Sequence, residues 1–156
     1  MIDPRFLDDV SSLKDLTFGE RMRLADQLVE VRYGPGDVII REGQKAAGLY
    51  FLMEGEVIVA SPTEDRPFSA STRIPAGEWF GMISSLDGLP ATASICAVGE
   101  VAVACLDRQD FHKLVDSPDP MGARFLRATL RCLAVQLDRL NVSLLELKHQ
   151  VGGMES

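Results

Sequence analysis

The period of the apolar positions changes along the chain. Phe6, Leu7, Val10, Leu13 and Leu16 recur at helical spacing and predict a short helix from Phe6 to Leu16. Thr17-Phe18-Gly19-Glu20 reads as a capping box, Thr17 accepting from the third residue and Glu20 reaching back. It predicts a second helix from Glu20 to Val29 that buries Met22, Leu24, Ala25 and Leu28. The period then shortens. Glu30 to Tyr33 is extended, Gly34-Pro35-Gly36-Asp37 turns, and Val38 to Arg41, Leu49 to Met53 and Glu56 to Ala60 read as strands. Ser61 to Pro67 is a polar hairpin tip, followed by strands at Phe68 to Ile74 and Val101 to Leu106. Short strands with glycine between them predict a mainly β chain, an antiparallel jelly-roll β-barrel flanked by two short N-terminal helices.

After Val101 to Leu106 the helical period returns. Asp107 to Phe111 begins a helix with acidic residues near its first turn, and Ser117-Pro118-Asp119-Pro120 breaks it. From Met121 to about Gln150, Leu126, Leu130, Leu133, Leu137, Leu140, Leu144, Leu147 and Val151 alternate spacings of four and three. Such a seam spans ~38 Å at about 1.5 Å per residue, more than a small barrel covers. The stripe predicts a homodimer through the C-terminal helix, with Leu126 to Leu147 as its interface. Ala134, Gln136, Asn141 and Ser143 beside it are uncharged, so parallel and antiparallel pairing both stay open. The expected division is a barrel domain over 1–120 and a coiled-coil-like helix over 121–156, with no DNA-binding domain after it.

Composition narrows the function classes. With 156 residues the chain is one domain's worth, and its net charge of −7 argues against nucleic acid as a partner. No apolar run approaches the roughly 20 residues of a membrane span, and Met1-Ile2-Asp3-Pro4-Arg5 lacks a signal-peptide layout. Cys96, Cys105 and Cys132 are scattered and without zinc-ligand spacing, which fits reduced thiols in a cytoplasmic protein. His112 and His149 both fall on predicted helices. A metal-binding jelly-roll enzyme needs histidines on its strands, so that reading fails. Trp79 and Phe80 read as core, as does Cys132. No catalytic constellation, metal site or cofactor site is expected.

The stretch Trp79 to Ala97, WFGMISSLDGLPATASICA, is the most informative. Gly81 opens a segment, Met82 to Leu86, long enough for one helical turn. A loop, Asp87 to Pro90, precedes an alternating strand from Thr92 to Ala97. A helix start facing a strand across a short loop brings N–H donors together and suits an anion.

This stretch resembles the phosphate-binding cassette of cyclic-nucleotide-binding domains, of the catabolite activator protein and protein kinase A regulatory-subunit type. Phe80, Gly81, Ile83, Pro90, Ala93 and Ser94 match without a gap. Pro35 to Ile40, Glu42-Gly43, Leu49 to Leu52 and Gly55-Glu56-Val57 follow the family's order as well, so the resemblance covers about Leu13 to Leu114. The resemblance implies a ligand pocket at Gly81, Met82, Ile83, Ser84, Ser85, Ala91, Thr92 and Ala93. It departs where the family binds its ligand most specifically. Met82 stands at the position of the Glu that holds the ribose, and Ala91 at that of the Arg that pairs with the phosphate. The donors expected to remain are the backbone N–H groups after Gly81 and the hydroxyls of Ser84, Ser85, Thr92 and Ser94.

The expected function is a non-enzymatic regulatory or sensor module, homodimeric, with weak or lost cyclic-nucleotide binding. Its expected partners are a small-molecule ligand and a protein, with no nucleic acid and no membrane. Two readings stand beside it: a genuine cyclic-AMP or cyclic-GMP signalling protein, and an interaction dimer with an empty pocket.

Overall fold

The computed structural model describes residues 2–60 and 73–154, with side chains past Arg139 only at Leu145, Lys148 and His149. The expected hairpin tip Ser61 to Pro67 and the start of the Phe68 to Ile74 strand lie outside the described residues. So do the side chains of Leu140, Leu144 and Leu147.

The N-terminal segment differs from the single helix its spacing predicts. It forms two 3-10 turns, Pro4–Asp9 and Ser11–Leu13, separated by an extended Val10. Asp3 caps the first by accepting from the Arg5 N–H at 3.0 Å. Leu7, Val10, Leu13 and Leu16 are all buried, and their spacing of three is the period of a 3-10 helix, which eclipses every third side chain.

Helix α1, Phe18–Asp26, starts two residues before the expected point and has the predicted capping box. Thr17 Oγ1 accepts from the Glu20 N–H at 3.1 Å, and Glu20 Oε1 accepts from the Thr17 N–H at 2.9 Å. Leu24, Ala25 and Leu28 are buried, but Met22 is exposed, contrary to expectation. Within the helix, Glu20 and Leu24 lie four residues apart on its buried face. Met22 lies two residues from both Glu20 and Leu24, on the opposite side.

Eight described strands build two four-stranded antiparallel sheets. They are β1 (Val29–Tyr33), β2 (Val38–Ile40), β3 (Gly48–Glu54), β4 (Glu56–Ala60), β5 (Arg73–Pro75), β6 (Trp79–Phe80), β7 (Ser94–Ala97) and β8 (Val101–Asp107). The orders are β1-β8-β3-β6 and β2-β7-β4-β5. The first sheet is covered on both faces, which explains why β3 reads as a continuous apolar run. Leu49 and Phe51 of β3, Trp79 of β6 and Ala104 and Leu106 of β8 join a cluster with the helices. The alternate residues Tyr50, Leu52, Phe80, Val101 and Val103 pack with Ile40, Val57, Ile74 and Ile95 of the second sheet.

Helix α2 (Met82–Asp87) lies between β6 and β7, and α3 (Arg108–Asp116) follows β8 with Asp107 as its cap. The last helix, α4 (Pro120–Met154), continues past the expected end. Met121, Phe125, Ala128 and Cys132 bury one of its faces at spacings of four and three. The leucine stripe runs beside that face: Leu133 is partly buried, while Leu130 and Leu137 are 54% and 58% exposed. No helix among the described residues is long and apolar enough to cross a membrane.

Candidate functional site

The cassette is shaped by one glycine and closed by its own hydrogen bonds. Gly81 caps α2 at φ +85°, in the left-handed region. A Cβ there would also stand 2.7 Å from the Gly48 carbonyl oxygen, so glycine is required on two counts. At the other end the Gly88 N–H donates to the Ser84 carbonyl at 2.8 Å. Ser84 Oγ donates to the Leu89 carbonyl at 2.8 Å, and Ser85 Oγ to the Gly81 carbonyl at 3.1 Å.

The serine hydroxyls expected as donors already hold partners within the protein. Ser84 and Ser85 are both buried and engaged within the loop. Ser94 Oγ accepts from the Glu42 N–H at 3.0 Å. Ala91, at the family's Arg position, exchanges two backbone bonds with the 43–44 turn. Its carbonyl accepts from the Gly43 N–H at 2.8 Å, and its N–H donates to the Gln44 carbonyl at 2.9 Å. Among the expected hydroxyls, Thr92 alone is on an exposed residue.

Beside the cassette lies a cavity of about 160 Å³. Gly81, Met82, Ile83, Ser84, Ala91, Thr92 and Ala93 line it, and Ser85 does not. Ile40, Val59, Ile74, Phe80, Pro90 and Ile95 complete the strand and loop side. Among the described residues no charged side chain borders it. Met82 is only 2% exposed and belongs to the cluster beneath the helices, so the family's Glu position is here part of the core.

Two further lining residues come from α4, Leu133 and Gln136. Leu133 was expected only in the dimer seam, and Gln136 only as an uncharged flank. Gln136 Nε2 donates to the Trp79 carbonyl at 2.6 Å, which fixes α4 against β6 directly before the cassette. The Trp79 ring is fully buried, stacks on Phe51 at 4.8 Å between centroids, and meets Phe125 of α4 at 5.7 Å. Its indole N–H donates to Ser12 Oγ at 2.6 Å.

Ion pairs join α4 to the body between Arg124 and Arg139. Arg124 binds both oxygens of Glu20 at 2.8 Å, Arg131 pairs with Asp15, and Arg139 pairs with Glu78. The arginine spacings of seven and eight, two helical turns each, are a signal the sequence carries. Acidic partners 61 to 116 residues away are not readable from it.

Burial holds the Cys105 and Cys132 thiols in the protonated form. Burial pushes Cys132 up to about 11, and burial with the nearby Asp107 charge pushes Cys105 to about 11. Both stay protonated at neutral pH, whereas thiol chemistry needs the thiolate. Among the described residues no cluster of three or more His, Cys, Asp or Glu is placed to hold a metal. The arrangement can enclose a small molecule and position it against α4.

Residues 30–117 match the family model of the cyclic nucleotide-binding domain. A cAMP-dependent protein kinase regulatory subunit of Dictyostelium discoideum is 34% identical over 122 residues, covering 76% of this chain and 37% of that protein. The chain spans about a third of the length of such curated relatives. A cyclic nucleotide-binding domain from Methylobacillus flagellatus superposes with a TM-score of 0.79 at 19% identity, covering 92% of this chain and 85% of that one. That likeness concerns the fold. The regulatory subunit of a cAMP-independent protein kinase A from Trypanosoma cruzi, bound to guanosine, gives a TM-score of 0.62 at 26% identity over 83% of this chain and 48% of that one. With more than half its length matched by the family model, the chain belongs to the cyclic nucleotide-binding domain family.

Proposed function

We propose that the chain is a non-enzymatic regulatory module in which occupancy of the cavity sets the position of α4, and in which cyclic nucleotides bind weakly or not at all. The observation that carries this reading is the placement of Leu133 and Gln136. They line the same cavity as the cassette while belonging to the helix that leaves it. A ligand seated there touches the cassette and α4 together, so binding and helix position are linked. The relatives that bear the name of kinase regulatory subunits support the regulatory role. In this reading the two sheets close as a jelly roll, α4 pairs with its mate in a homodimer, and a protein partner reads the helix in the cytoplasm. The net charge of −7 keeps nucleic acid out of the scheme.

The weak cyclic-nucleotide binding follows from two positions. Met82 and Ala91 remove two charge-assisted hydrogen bonds, each typically worth about 1.5–3 kcal/mol. Together they lower affinity on the order of a hundred- to ten-thousand-fold. The Trypanosoma cruzi relative, bound to guanosine, supports the idea that a protein of this fold takes an uncharged ligand.

Titration calorimetry tests the reading. Cyclic AMP and cyclic GMP should bind no tighter than hundreds of micromolar. The Met82→Glu, Ala91→Arg double variant should gain about two orders of magnitude, whereas each single change buries an unpaired charge and should gain nothing. Low-micromolar binding by the wild-type chain would instead make it a genuine cyclic-nucleotide sensor.

A further inference from the structure

We propose that the cavity takes an uncharged, predominantly apolar ligand of one or two rings, seated between the cassette and α4. This rests on the reading of the chain as a ligand-sensing module and names the chemistry of that ligand. Three observations converge on it.

The first is charge. Among the described lining residues none carries a charged side chain. An anion entering here would lose its hydration without a cation to pair with. The second is the state of the polar side chains. The Ser84 hydroxyl donates to the Leu89 carbonyl, and the Gln136 amide to the Trp79 carbonyl. Neither donor turns to a ligand without breaking a bond the fold already makes. Ile40, Ile74, Phe80, Ile83, Ile95 and Leu133 leave an apolar wall around them. The third is size. At about 160 Å³ the space is close to the ~150 Å³ at which a cavity lined by Leu, Ile and Phe accepts benzene. It falls short of the roughly 300–1,000 Å³ of pockets for larger ligands. Leu133 and Gln136 set that limit from the α4 side. Thr92, on the exposed side of the lining, can meet one polar group of the ligand.

Indole and indole-3-acetate test this on the full chain, because they differ by one carboxylate-bearing arm. Calorimetry should show indole binding at least tenfold tighter than indole-3-acetate, and tighter than guanosine or cyclic AMP. With isoleucine δ1 methyls labelled for NMR, indole should shift Ile40, Ile74, Ile83 and Ile95 and leave Ile2 and Ile58 in place, since only the former four line the cavity. Ala93→Phe, which fills the cavity from the strand side, should abolish both signals. Where circular dichroism shows that this variant is unfolded, Leu133→Phe fills it from the helix side.

Equal or tighter binding of indole-3-acetate overturns the proposal, and so does indole leaving the four methyls unmoved. Tight cyclic AMP or guanosine binding at those methyls also overturns it, but leaves the sensor reading standing. Indole bound in the cavity with amide exchange along α4 unchanged has the opposite meaning. The ligand class then holds and the sensor reading falls.

Discussion

Between Gly81 and Ser94, Ser84 closes onto Leu89 and Ser85 onto Gly81 within the cassette, while Ser94 reaches back to Glu42. In α4 the polar contacts run the other way, outward from Arg124, Gln136 and Arg139 to Glu20, Trp79 and Glu78. The cassette is fixed in part by bonds within itself, α4 mainly by bonds to its surroundings. The Ser84 and Ser85 hydroxyls are buried, and breaking one of their bonds leaves a desolvated polar group at ~1–3 kcal/mol. The Arg131–Asp15 pair leaves both side chains more than a third exposed, and such pairs contribute about 0–1 kcal/mol. In the proposed coupling the cassette is the fixed wall of the cavity and α4 the wall that shifts. The contrast gives physical content to a coupling between ligand and helix.

The two walls meet at Trp79, whose ring packs on β3 and α4 and whose carbonyl receives Gln136. Removing that ring should blur the contrast by loosening both. Trp79→Ala should destabilise the chain by about 3–5 kcal/mol, the cost of emptying a large aromatic site in a packed core. A thermal melt followed by circular dichroism should show a loss of ~10 °C or more. A fall of only a degree or two would mean that α4 and the sheet are joined elsewhere.

Much of this design was legible in the residues. The capping box at Thr17 and Glu20, the glycine-bounded strands and the Gly81 turn all rest on local chemistry, and each stands close to its expected place. The misses are non-local or concern which face of a helix is covered. Met22 has the right chemistry for burial, but Glu20 takes the inner face because Arg124 waits there. The N-terminal spacing of three fitted an α-helix loosely and a 3-10 turn better. On α4 the more regular leucine stripe drew attention from Met121, Phe125, Ala128 and Cys132, a mixed set that packs against the body. The serine hydroxyls could be counted from the sequence, but their direction could not.

The leucine stripe sharpens the comparison, since α4 carries a second apolar face that the body leaves open. Leu130 and Leu137 lie at the centre of its described part, each more than half exposed. A stripe of this kind suits a partner helix, and the homodimer expected from the seam uses it. Leu130→Asp with Leu137→Asp places charges in that interface and should weaken dimerisation at least a hundredfold. Light scattering at tens of micromolar should show a wild-type dimer and a mutant monomer, with the circular dichroism spectrum kept. A wild-type monomer would assign the stripe to another partner.

The smallest expected effect isolates one contact between α4 and the body. Burial alone would push the Glu20 carboxyl up, but the Thr17 N–H and the Arg124 guanidinium outweigh it and hold the group below the usual glutamate value. A carboxyl whose folded value is lowered binds protons more readily in the unfolded chain. Its stabilising contribution is therefore complete above the ordinary glutamate range, near pH 4.3, and is lost as pH falls through the lowered folded value. Glu20→Gln keeps the capping geometry, because Gln also serves at the third position of a capping box. It removes the charge that Arg124 reads. Arg124 is 44% exposed at its side chain, so solvent screens the pair and the change should cost only ~1 kcal/mol at pH 7. Urea titrations of wild type and variant should differ by that amount at pH 7 and converge in acid, once pH has fallen through the lowered Glu20 value. A difference that persists in acid would assign the loss to packing, and α4 would then be held to α1 by shape rather than by charge.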